Sequence, residues 1–148
     1  MASTTALPGW LPFANRVVKF LHRLGLPLGT IQLLSVPGRS TGELRTTPVS
    51  PFTAGAHQYV VSPVPKSDWV RNAGAAGWGM LRRGRVSRRV TLETVTDPAE
   101  KEAALRAFPD QVPNGVPFFV KVGAVTSASP DEFAAAAPGC AVFRVGPA

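Results

Sequence analysis

With 148 residues and 45% hydrophobic side chains, the chain can bury a core without disulfides or metals, so a single domain over 1–148 is expected. Its apolar runs break well short of the roughly 18 residues a spanning helix needs, and no basic-then-apolar leader opens it, which argues against a membrane span and a secretory signal. The formal net charge of +7 sits in residues 1–96, where twelve Lys/Arg face three acids; residues 97–148 hold four against six. A field of that sign draws nucleic acid, anionic membrane or an anionic cofactor. Basic residues are not interleaved with aromatics and no recognition helix is evident, so nucleic acid is not expected as a partner. Cys140 stands alone, and with two separated histidines it makes no metal set; a reducing cytoplasm is the expected location.

In chain order, "GWLPFANRVVKFLHRLG" (9–25) reads as an amphipathic helix ended by Gly25 and Pro27, with Trp10, Phe13 and Phe20 among its cations. It suits a helix packed on a sheet, a roof over a ligand, or peripheral contact with a membrane. "TIQLLSV" (30–36) is a strand. "RTTPVSPF" (45–52) is extended, and Pro48 and Pro51 confine it to an edge or a bulge. "AGAH" turns the chain into the returning strand "QYVVSPV" (58–64). A short helix is expected over 66–81, capped by Ser67 or Asp68 and weakened by Gly74 and Gly77. A strand follows at 84–95. Over 97–110, Asp97 caps a helix with Pro98 at its first position, Glu100 completes the capping box, and Pro109 closes it. Strands at 115–125 and 140–146 flank a helical turn at 129–137. About six strands joined mainly as hairpins, with short peripheral helices, predict a mainly β (α+β) small split antiparallel barrel.

The chemistry concentrates in two places. In "VPGRSTGELRTTPV" (36–49), Gly38 and Gly42 permit a tight loop that aims N–H groups inward. Ser40 and Thr41 add hydroxyls, and Arg39 and Arg45 add forked cationic donors, a set suited to phosphate. It is neither a Walker loop nor a GxGxxG turn, and an ordinary hairpin loop is the alternative. In "SPVPKSDWVRN" (62–72), a strand end is followed by Lys66 and then by Trp69 and Asn72 on one helix face. These supply a charge, a flat stacking surface and an amide, while a purely structural Trp69 is the alternative.

The order of these two segments, from Leu33 to Val95, resembles the deazaflavin (coenzyme F420)-dependent nitroreductase family of split β-barrel flavin and deazaflavin oxidoreductases. The resemblance places a phosphate loop at Gly38, Arg39, Ser40, Thr41, Gly42 and Arg45. It lays Thr47, Pro48 and Val49 along a deazaflavin ring, turns Ser62, Pro63 and Val64 toward that ring, and adds contacts from Lys66, Trp69 and Asn72. Where the family often has a second basic loop residue this chain has Ser40, so tail binding would shift to Arg82, Arg83 or Arg85. The family's substrate-lining tyrosines have no counterpart, since Tyr59 is the only Tyr.

The function implied is hydride transfer from reduced coenzyme F420 to a hydrophobic, electron-poor small molecule such as an enone, quinone, nitro or unsaturated acyl compound. Ser62, Tyr59, His57 and bulk water stay open as proton donors. A non-catalytic carrier of F420 or FMN is the alternative, FMN being the lesser cofactor choice. A homodimer across the sheet is also left open.

Overall fold

The apolar run after Thr30 forms β1 (Gln32–Pro37), and the polar loop returns the chain as β2 (Leu44–Val49). These elements belong to a computed structural model that describes residues 30–148; the helix expected over 9–25 lies outside the described residues. Gly55, at φ 61°, turns β3 (Phe52–Ala54) into β4 (His57–Ser62). Helix α1 (Asp68–Ala76) stops at Gly77, whose left-handed φ of 73° lets its N–H donate to the Ala73 carbonyl. Strands β5 (Trp78–Arg83) and β6 (Val86–Thr94) follow, then α2 (Pro98–Gln111), a 3-10 turn (Pro113–Gly115), α3 (Val116–Lys121), α4 (Pro130–Ala136) and β7 (Ala141–Pro147).

All strand pairings are antiparallel, in one seven-stranded sheet of order β2-β1-β5-β6-β7-β4-β3. Laid flat, such a sheet would part its outer strands by about 29 Å. Val49 of β2 and Phe52 of β3 are nevertheless only three residues apart in sequence, which spans at most about 11 Å. The sheet must therefore roll until its edges approach. No ladder joins them among the described residues, so the sheet is an open, rolled one of seven strands where a split barrel of about six was expected. Proline explains part of the opening, because Pro48 gives the β2 edge no N–H at that position.

Two apolar layers hold this shape. Inside the roll, Leu34, Val36, Val49, Val60, Leu81, Val90, Leu92, Phe143 and Val145 pack with Val70 and Ala73 of α1. Outside β3, β4 and β7, Phe52, Tyr59 and Val142 pack under Leu105 and Phe108 of α2, with Phe119 and Phe133 from α3 and α4. Alternation in β4 and β7 divides the faces: Val60 opposes Phe143 inside, while Tyr59 opposes Arg144 and Val61 opposes Val142 outside.

Four expectations are corrected here. The helix over 66–81 splits at Gly77, and its second half is β5, paired to both β1 and β6. The strand over 84–95 begins at Val86, because Gly84 at φ 60° makes "RRGRVS" a hairpin turn rather than one strand. The strand over 115–125 is instead a 3-10 turn and a helix. A short apolar run does not distinguish strand from buried helix, and Pro113 and Pro117 preset helical φ. Gly115 also leaves room for Phe108, whose Cζ would lie 2.8 Å from an added Cβ. Pro109 lies within α2, which continues to Gln111.

A polar clamp ties α2 to the sheet. Tyr59 donates to Glu100 Oε2 at 2.7 Å, and Arg144 donates to the same oxygen from Nε (3.1 Å) and Nη2 (2.6 Å). Asp97 caps α2 by accepting from the Glu100 N–H, but the Glu100 carboxylate serves the clamp rather than the expected capping box. The hydrogen bonds from Arg144 and then Tyr59 hold the Glu100 carboxyl below its ordinary range, while burial, followed by the Glu100 contact, pushes the Tyr59 phenol up. A depressed folded-state carboxyl stabilises fully above its unfolded value, about 4.3, and loses that contribution as pH falls through the folded value. Glu100→Gln is expected to lower stability at neutral pH and to flatten the acid limb below about pH 4.3. Urea unfolding across that range measures both, and an unchanged acid limb would rule out this carboxylate as the acid-sensitive link.

Candidate functional site

The loop after β1 closes on itself. The Gly38 N–H donates to the Glu43 carbonyl (2.7 Å), the Gly42 N–H to the Gly38 carbonyl (2.8 Å), and the Glu43 N–H to Thr41 Oγ1 (3.2 Å). Gly42 adopts the left-handed φ of 78° that this turn requires. The amides of Gly38 and Gly42 are thus spent inside the loop, which corrects the expectation that they point at a ligand. The ring they close holds Arg39, Ser40 and Thr41 outward as side-chain donors.

Those three residues line a cavity of about 470 Å³ with Gly38, with Arg45, Thr46 and Thr47 of β2, and with Asp68, Trp69 and Asn72 of α1. Asn72 is 5% exposed, and its Oδ1 accepts both the Arg39 backbone N–H (3.1 Å) and the Arg39 guanidinium (2.7 Å). Asn72 therefore braces Arg39, instead of offering that oxygen to a heterocycle as its helix position suggested. Arg39 also meets Asp68 Oδ1 at 3.3 Å. Arg45 has no carboxylate partner among the described residues.

Beside this polar chamber lies an apolar one of about 350 Å³. Pro48 and Val49 of β2 form one wall, and Ser62 and Pro63 at the end of β4 form the other. Phe108, Phe118 and Phe119 come from the outer helices. The apolar chamber thus occupies the seam left where the rolled sheet does not close. Trp69 borders both chambers and packs on Phe143, ring centroids 5.9 Å apart. The pairing of a cationic, hydroxyl-rich chamber with an apolar slot across one indole suits a ligand that is anionic at one end and flat and apolar at the other.

A family model described as F420H(2)-dependent quinone reductase matches residues 14–116, well over half of the chain. The chain belongs to that family. Its members are named for reduction by reduced coenzyme F420, the cofactor to which the nitroreductase resemblance also led. No curated protein matches the sequence. Among solved structures, PhzG from Burkholderia lata 383 in complex with tetrahydrophenazine-1-carboxylic acid is 12% identical, with a TM-score of 0.53 over 99% of this chain and 81% of that one, a likeness of fold. A NimC/NimA family protein from Clostridium acetobutylicum is 14% identical, with a TM-score of 0.44 over 90% of this chain and 85% of that one.

The residues at hand fit what the family's cofactor demands. Two guanidinium groups and the Ser40 and Thr41 hydroxyls suit its phosphate, and Pro48, Val49 and Trp69 offer apolar faces to its ring. Of the residues singled out in sequence, Gly38, Arg39, Ser40, Thr41, Arg45, Thr47, Trp69 and Asn72 border the polar chamber, and Pro48, Val49, Ser62 and Pro63 the apolar one. Gly42, Val64 and Lys66 border neither: Gly42 shapes the loop, Val64 bonds to Ser62, and Lys66 is exposed. Arg82, Arg83 and Arg85 sit at the tip of the β5–β6 hairpin. The register sets Leu33 against Arg82 and Ser35 against Met80, so that tip lies at the end of β1 away from the loop, roughly 17 Å along the strands.

Thr46, Asp68, Asn114 and the three phenylalanines of the seam were not singled out. Asn114 and the phenylalanines lie at least 36 residues beyond Asn72 and no local spacing marks them, whereas Thr46 and Asp68 sit next to residues that were singled out. The open candidates for proton donor fare poorly. The Ser62 hydroxyl closes a turn with Val64, donating to its carbonyl at 3.3 Å and accepting its N–H at 3.0 Å, the Tyr59 hydroxyl donates to Glu100, and His57 borders neither chamber. Among the described residues, no group of acidic, His and Cys side chains is placed to hold a metal. No described helix is long and apolar enough to cross a membrane.

Proposed function

We propose that this chain is an F420-dependent oxidoreductase that reduces a hydrophobic, electron-poor acceptor of the quinone or enone type. The observation that carries the reading is the shared Trp69 wall between a cationic chamber and an apolar seam. Arg39 and Arg45 would neutralise the cofactor's phosphate, with Ser40 and Thr41 donating to its oxygens. Trp69, Pro48 and Val49 would hold the ring in the seam and keep water from its face. These residues would hold reduced coenzyme F420, which would supply the hydride. Phe118 and Phe119 give the acceptor an apolar surface, which favours a lipophilic ring over a charged substrate. With the nearby hydroxyls committed to the fold, the acceptor's proton is assigned to solvent entering at the half-exposed Phe118.

That same commitment of Ser62 and Tyr59 favours a second reading, a carrier that binds coenzyme F420 without turnover. Fluorescence titration with coenzyme F420 and with FMN, followed by oxidation of the reduced cofactor on adding a soluble naphthoquinone, separates the two. Tight F420 binding with quinone-dependent oxidation supports the reductase; binding without oxidation supports the carrier. Preference for FMN would sink both. Trp69→Ala is expected to weaken cofactor binding about tenfold through the lost ring contact, and binding equal to wild type would remove Trp69 from the site.

A further inference from the structure

Among the described residues, one carboxylate borders the polar chamber. Asp68, at the first turn of α1, borders the cavity and sets Oδ1 3.3 Å from Arg39 Nη2. The other charged residues bordering it are Arg39 and Arg45. Glu43 on the loop and Lys66 and Arg71 around α1 are exposed and border neither chamber. Among the described residues, the chamber wall therefore carries two positive charges and one negative. Its net charge of one matches a phosphate diester, which ionises once. A phosphate monoester, whose second ionisation lies near pH 6, carries almost two charges at neutral pH.

We infer that Asp68 tunes this chamber to a singly charged phosphodiester and against a doubly charged phosphomonoester. Asp68 is thereby a specificity determinant between coenzyme F420, whose phosphate is a diester, and FMN, whose phosphate is a monoester. The inference rests on the cofactor reading above and adds to it the residue that selects. An anion entering beside Arg39 lies within a few ångströms of the Asp68 carboxylate. With the Asp68 side chain 89% exposed, its repulsion of one additional negative charge at such a separation is worth at most about fivefold, set against the attraction of Arg39 and Arg45. Asp68 also shares Arg39 with Asn72, so it takes up guanidinium donors that a monoester's extra charge would otherwise recruit.

The test holds the ring constant and varies only the phosphate. The probes are 8-hydroxy-5-deazariboflavin, its 5′-phosphate (a monoester) and the methyl ester of that phosphate (a diester), titrated by fluorescence against the wild type and Asp68→Asn at pH about 7.5, well above the monoester's second ionisation. Between the wild type and Asp68→Asn, the monoester is expected to gain up to about fivefold more affinity than the diester. Binding of the phosphate-free ring should be unaffected by Asp68→Asn, and Asp68→Glu should keep the wild-type ratio of monoester to diester affinity. If Asp68 served only to position Arg39, its loss would weaken both phosphates alike and leave the ratio standing, which overturns the inference. When coenzyme F420 binds but the ratio does not move, the cofactor reading survives and only the role of Asp68 falls. Failure of every deazaflavin to bind would overturn both.

Discussion

Arg39→Ala is expected to weaken coenzyme F420 binding about 10- to 100-fold, since hydrogen bonds to a charged group contribute about 1.5–3 kcal/mol and tenfold is about 1.4 kcal/mol. The side chain arrives pre-positioned: Asn72 holds both its backbone and its guanidinium, so little rotamer freedom remains to be lost when an anion binds. The alanine variant keeps the backbone bond to Asn72 and hence the loop's anchor on α1. Arg39→Lys should fall between wild type and alanine, because a lysine retains the charge but not the planar fork. Fluorescence titration, with thermal unfolding of each variant alongside, checks this. Binding of the alanine variant within twofold of wild type would remove Arg39 from the site.

The largest loss of stability is expected for Phe133→Ala. Phe133 is fully buried in α4, with ring centroids 4.9 Å from Phe119 and 5.7 Å from Phe108. Removing it leaves a cavity at the centre of the outer helical layer, at a cost of about 3–5 kcal/mol. For a chain of this size that lowers the thermal midpoint by roughly 10–15 °C. The effect reaches the site, because Phe108 and Phe119 also border the apolar chamber. Phe133→Leu should recover more than half of the loss by refilling the volume. Chemical denaturation of the three proteins measures it, and an alanine variant within about 1 kcal/mol of wild type would mean that the helices collapse onto the gap.

The residues that touch an anion were legible because they are local. Gly38, Arg39, Ser40, Thr41, Gly42 and Arg45 fall within eight positions, and a short glycine-hinged loop between two strands brings them together however the rest folds. Trp69 was legible for a related reason, as the large aromatic of a short capped helix. The role of Asn72 was not, because its acceptor is spent on Arg39, 33 residues away. Asp68 looked like a helix cap for the same reason. Its partnership with Arg39 spans 29 residues and leaves no periodic trace. The misread strand at 115–125 shows the limit from the other side: "VPFFV" suits either state until Phe108 and Phe133 supply a helical partner surface for Phe119.

By itself, then, the sequence determined the hairpin-rich β class, the edge position of Pro48 and the cationic loop, since each rests on backbone chemistry within a few residues. Tertiary structure decided that the sheet rolls without closing, that the seam becomes an apolar slot, and that Trp69 divides it from the phosphate-type chamber. The physical reason is reach: side-chain preferences act over a turn or a hairpin, whereas the seam exists only because the two residues between β2 and β3, Ser50 and Pro51, pull opposite edges of a seven-stranded sheet together.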